Sequence, residues 1–141
     1  MLFKTSIDRK KKEIEMKPIS GPSYSLFEKI RLGIYGSPKY KILELNPESI
    51  GISEEKSNDL LHGNFELKKE GMAFYFRYLN DEYAIVARYN QITFQTNDRY
   101  FELQMGTHSI KMEIKSKKGH LTFLKNFAKH RGYDTFPHAS I

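Results

Sequence analysis

The chain has no cysteine and no tryptophan among its 141 residues. Without thiols it has no disulfide framework, no Cys-ligated zinc and no thiol nucleophile. It also lacks any stretch approaching the roughly 18 uncharged apolar residues that a transmembrane helix requires. The first residues, Met1-Leu2-Phe3-Lys4, carry no apolar core of a signal peptide, and the basic run Arg9–Lys12 stands where one belongs. The expectation is a cytoplasmic protein of bacterial type. Apolar residues amount to 39%, below the usual ~45–50%. Ten Phe and nine Tyr are nevertheless too many for a chain that buries nothing, so full disorder is excluded. The length suits one domain.

Charge is unevenly placed. Lys and Arg exceed Asp and Glu by 23 to 17, a net of +6. Residues 1–17 hold six basic and three acidic groups, and residues 111–141 hold seven and two. The middle is close to balanced. Basic ends of this kind attract phosphates of nucleic acid or anionic lipid, or keep a small protein soluble.

Three regions follow. Residues 1–23 read as a flexible basic arm, with sparse apolar residues and the breakers Lys17-Pro18 and Ser20-Gly21-Pro22-Ser23. Ordering them would cost entropy that little burial offsets, so their deletion is expected to leave the melting temperature unchanged. Residues 24–132 read as one domain, and residues 133–141 as a tail. Within the domain, Ser25–Ile34 has helical spacing, with Leu26, Phe27, Ile30 and Ile34 on one side. Period-two segments follow at Tyr40–Leu45, Ser49–Ile52, Phe65–Leu67, Met72–Tyr78 and Ile92–Thr96, with the acidic stretch Ser53–Asp59 between them. Ala84-Ile85-Val86-Ala87 is continuously apolar and reads as a strand buried on both faces. The clearest alternation is Phe101, Leu103, Met105 against Tyr100, Glu102, Gln104, followed by Ile110, Met112, Ile114 against Lys111, Glu113, Lys115. Turn signals at Glu70-Gly71, Asn80-Asp81 and Gly106-Thr107 make these an antiparallel meander. His120–Arg131 reads as an amphipathic helix, with Leu121, Phe123, Leu124, Phe127 and Ala128 inward and Lys125, Asn126, Lys129 and His130 outward. Gly132 follows as its C′ residue.

No catalytic constellation is visible. Gly33-Ile34-Tyr35-Gly36-Ser37 lacks both the Gly-Lys-Ser/Thr end of a phosphate loop and GxGxxG spacing. The five histidines form no His-x-x-x-His pair and read as surface residues. No catalytic residue, metal ligand or cofactor is assigned.

Several antiparallel strands followed by one amphipathic helix, from about Tyr40 to Arg131, resemble a bacterial pleckstrin-homology-like domain. Tyr89-Asn90-Gln91-Ile92, the paired runs at 100–105 and 109–115, and Leu121–Phe127 carry the resemblance. It implies a mainly β (α+β) fold: a bent antiparallel sheet or partly open barrel of about seven strands, capped by the C-terminal helix. It also implies a non-enzymatic binding role. The chain departs from the animal members in having no Trp in its last helix. Asn46-Pro47-Glu48-Ser49 carries no cation either, so phosphoinositide recognition is not implied.

Two sets of side chains are candidate binding residues. Lys111, Lys115, Lys117, Lys118, Lys125, Lys129 and Arg131 form a cationic set suited to an anionic surface. Tyr75, Arg77 and Tyr78 lie in a strand region dense in stacking groups, suited to bases or a peptide. The expected partner is a protein or peptide, an anionic lipid surface, or, on the alternative reading of a small nucleic-acid-binding barrel, nucleic acid.

Overall fold

The period-two segments on either side of residues 68–70, 97–99 and 106–107 pair with each other, whereas those on either side of residues 89–91 do not. The computed structural model describes residues 1–6, 8–33, 36–46, 61–78 and 81–130. In chain order they form β1 (Leu2–Lys4), α1 (Arg9–Ser20), α2 (Leu26–Leu32), β2 (Tyr40–Asn46), β3 (His62–Leu67), β4 (Gly71–Tyr78) and β5 (Asp81–Arg88). A 3-10 turn over Tyr89–Gln91 leads to β6 (Ile92–Thr96), β7 (Tyr100–Met105), β8 (His108–Glu113) and α3 (Lys117–His130). The eight described strands make one open antiparallel sheet in the order β1-β5-β4-β3-β2-β8-β7-β6. The fold is mainly β, of the α+β class, with the helix at the C-terminal end as expected.

The clearest alternation forms the expected pair: Phe101 opposes Met112 and Leu103 opposes Ile110. Phe101, Leu103, Met105, Ile110 and Met112 are all buried. They join Tyr40, Phe65, Phe74, Phe123 and Phe127 in the main core, where Phe65 stacks on Phe123 at 5.4 Å. Ring pairs of this kind add about 0.5–1.5 kcal/mol beyond area burial.

The sheet contains a strand that the sequence reading lacks, and it comes from the segment read as a flexible arm. Phe3 of β1 pairs with Ala84 of β5. Helix α1 then crosses the outer face of β4 and β5. Met16, fully buried, packs with Phe3, Ala73, Ala84 and Val86 in a second, smaller core. Strand β5 is therefore buried on both faces as its composition predicts, and α1 is what covers the second face. The arm went unread because α1 buries only Met16 and Ser20. One methionine leaves no apolar stripe, and Ile14 is exposed. Pro18 does not break α1, since it lies in the last turn. The Pro18 carbonyl accepts from Arg88 Nη2 at 2.9 Å, tying the helix end to β5. A Cβ on Gly71 would strike the Ala87 carbonyl and the backbone of Ser20, so this close approach requires glycine.

Helix α3 begins three residues earlier than the spacing predicts. Its buried stripe is His120, Phe123, Leu124, Phe127 and Ala128, the i, i+3, i+4, i+7, i+8 set. Leu121, expected inside, is 53% exposed, and His120, expected on the surface, takes its place in the core. His108 is buried too. The Ser49–Ile52 strand, the Ser53–Asp59 stretch, Ile34, Asn80, Arg131, Gly132 and the 133–141 tail lie outside the described residues. Among the described residues no helix is long and apolar enough to cross a membrane.

Candidate functional site

The candidate residues separate onto three surfaces. Lys111 stands on the outer face of β8, in register with Glu102, and its Nζ lies 3.9 Å from that carboxylate and 5.4 Å from the Tyr100 ring. Lys115, just past β8, donates from Nζ to His62 Nε2 at 2.7 Å. Lys117 and Lys118 open α3, whose first turn is steadied by Ser116 Oγ accepting from the Gly119 amide. Lys125 and Lys129 are exposed on its outer side, one turn apart. The two lysine groups are thus continuous along the chain from β8 into α3.

Tyr75 and Arg77 share the outer face of β4, as their spacing predicts. Tyr78 points the other way and is 6% exposed, inside the main core. With Lys39, His62, Asn64 and Glu82, Tyr75 and Arg77 line an open hollow of about 380 Å³. The hollow is not purely cationic. The Tyr75 hydroxyl donates to Glu66 Oε1 at 2.9 Å, and burial pushes its pKa up. The Arg9 guanidinium sits 5.7 Å from the Tyr75 ring centroid and pairs with Glu82 at 2.6 Å. Tyr75 therefore already anchors α1, and one face of its ring is occupied.

The third surface is α2, which is built inside out. Ser25 caps it, accepting from the Glu28 amide at 3.1 Å, while Glu28 Oε1 accepts from the Ser25 amide at 3.1 Å. Gly33, left-handed at φ 67°, closes the other end. The least exposed residues of this helix are Glu28 and Lys29. Glu28 reaches Lys69 at 3.3 Å and Lys29 reaches Glu66 at 3.8 Å. Leu26, Phe27 and Ile30, which fall within about 100° of one another on the helix, are 76%, 73% and 60% exposed. The spacing marks this apolar side, but it does not say whether the side meets a core or solvent. Its outward orientation follows from Lys69 and Glu66, which only the fold brings to the opposite side.

Both ends of α2 rest on α3. The Tyr24 hydroxyl lies 2.9 Å from His130 Nε2, and Asn126 Nδ2 donates to the Gly33 carbonyl at 3.5 Å. Asn126 and His130 form one row of α3, and Leu121, Lys125 and Lys129 form the row beside it. Helix α2 therefore rests on the row of α3 next to the lysine row.

The histidines missed as buried residues form no metal site. Among the described residues no group of three His, Cys, Asp or Glu is placed to hold a metal ion. His120 instead bridges hydroxyls, with Nδ1 at 2.6 Å from Tyr40 Oη and Nε2 at 2.9 Å from Thr96 Oγ1. Burial drives its pKa down to about 4, so the ring is neutral at pH 7.

No protein-family model, curated protein or solved structure matches this chain.

Proposed function

We propose that this chain is a non-enzymatic binding module on a pleckstrin-homology-like scaffold. It engages an anionic partner surface through the lysines that run from the end of β8 along α3. The open antiparallel sheet with its C-terminal helix is compatible with that scaffold. One observation carries the reading. Helix α3 holds four lysines and no carboxylate, and among the described residues Lys117, Lys118, Lys125 and Lys129 enter no ion pair. Some cations elsewhere are matched, as in Lys4–Asp81, Arg9–Glu82, Lys29–Glu66 and Lys69–Glu28, and the other two helices each carry carboxylates of their own, Glu13 and Glu15 in α1 and Glu28 in α2. Unmatched like charges on one helix face repel each other and gain most when an anion approaches.

Salt dependence tests this. Binding to a polyanion such as heparin should weaken linearly on a log–log plot, with a slope of ~0.7–0.9 per contact by analogy with phosphate contacts. Lys115→Glu, Lys118→Glu, Lys125→Glu and Lys129→Glu together should flatten the slope and leave the melting temperature near that of the parent. Absence of polyanion binding at low salt refutes the reading. Single-stranded nucleic acid on the outer sheet face is the second reading, favoured by Tyr75 and Arg77 meeting in one hollow. Tyr75→Ala should then cost ~1–3 kcal/mol of single-stranded DNA affinity, with thermal stability followed in parallel because Tyr75 also holds Glu66.

A further inference from the structure

We infer that the anionic surface is a lipid bilayer, and that α2 inserts Leu26, Phe27 and Ile30 into it. This rests on the anionic-partner reading and adds what the lysines alone do not specify. A two-turn helix normally turns its apolar side to the core. Here α2 is held to the body by its charges, Glu28 to Lys69 and Lys29 to Glu66, and Leu26, Phe27 and Ile30 stand together on a solvent-facing side, with Leu32 half-exposed elsewhere on the helix. The capping box and the left-handed Gly33 keep the helix formed in that orientation without any burial of its own.

The surroundings select the occupant. The neighbouring cations are Arg31, next to Ile30 on α2, and Lys125 and Lys129, in the row of α3 beside the one that holds both ends of α2, all three exposed. The one carboxylate of α2, Glu28, is turned away and paired with Lys69. Exposed apolar side chains beside lysine and arginine are the pattern of an interfacial membrane element, with chains entering the acyl boundary and cations meeting anionic headgroups. A second copy of this chain fits poorly, because a two-fold contact across α2 would bring the lysine rows together. A single seven-residue helix also falls well short of the roughly 800 Å² per partner of a stable protein interface. A bilayer needs no matching groove, and nucleic acid offers no apolar depth.

The chain has no Trp, so Phe27→Trp installs a lone fluorophore at the tip of the patch. With phosphatidylglycerol-rich vesicles its emission should shift to the blue and be quenched by brominated acyl chains. With heparin it should bind and keep a water-like spectrum. Leu26→Gln and Ile30→Gln should each weaken vesicle binding roughly tenfold and leave heparin affinity and circular dichroism unchanged. Vesicle binding with an unshifted Trp spectrum overturns insertion while leaving the anionic-partner reading intact. Heparin binding without vesicle binding overturns the bilayer and points to an acidic protein or nucleic acid. Failure to bind either refutes both readings together.

Discussion

His120 is the residue whose chemistry most depends on its place. Its two ring nitrogens are matched by the hydroxyls of Tyr40 and Thr96, and a hydroxyl can donate or accept, so the neutral ring is satisfied in either tautomer. Phe101 lies against it at 4.8 Å, and burial keeps bulk water from a charged ring. The unfolded chain takes up its proton near the ordinary value of 6.5, the folded chain only near 4. Its contribution is therefore complete above pH 6.5, falls as pH drops from 6.5 toward 4, and levels off below. The loss is roughly 3 kcal/mol. Urea unfolding across that range should show the decline, and His120→Gln should flatten it in part, since His108 is shifted the same way by burial. Neighbouring positions on α3 sort by face. Phe127→Ala should cost ~3–5 kcal/mol, while Lys125→Ala should stay within roughly 0.5 kcal/mol. Leu121→Ala belongs with the lysine, although its hydropathy alone would place it with the phenylalanine. Chemical denaturation of the three variants separates the faces.

Among the elements, β1 and α1 carry the largest revision. Met1 donates from its amino group to the Val86 carbonyl at 2.7 Å, and the Thr5 amide donates to the Glu82 carbonyl at 2.8 Å, so the N-terminal strand completes the edge of β5. Removing residues 1–20 would leave those carbonyls unpaired and expose Ala73, Ala84 and Val86, which α1 now covers. A truncated chain should melt far below the full one or fail to fold. Met16→Ala should cost ~2–5 kcal/mol as a core truncation. If calorimetry shows no change on truncation, α1 is not part of the folded body.

Across the whole molecule, protection should follow depth in the sheet. Strands β4 and β5 are each flanked by a strand on both sides, paired with each other along eight register positions and covered on both faces. Among the described residues β6 is an edge strand that pairs only with β7, and Thr93 and Gln95 stand exposed. Amide exchange should be slowest at Phe74, Ile85 and Val86 and fastest along β6 and α2, because local opening costs least where few contacts are lost. Uniform protection from β4 to β6 would contradict this gradient.

The local alternation of the strands and the buried stripe of α3 were legible in the sequence, because periods of 2 and 3.6 are imposed by backbone geometry on any segment that buries one side. The unusual apolar run at 84–87 likewise revealed two covered faces. The identity of the cover did not show, since α1 meets β5 through one methionine and about seventy intervening residues. The outward turn of α2 was equally hidden. A helix's apolar side is a property of its sequence, but whether that side meets a core or solvent depends on where the partners of its charges fall. Only tertiary structure, by bringing Glu66 and Lys69 beneath Lys29 and Glu28, decided that Leu26, Phe27 and Ile30 face out.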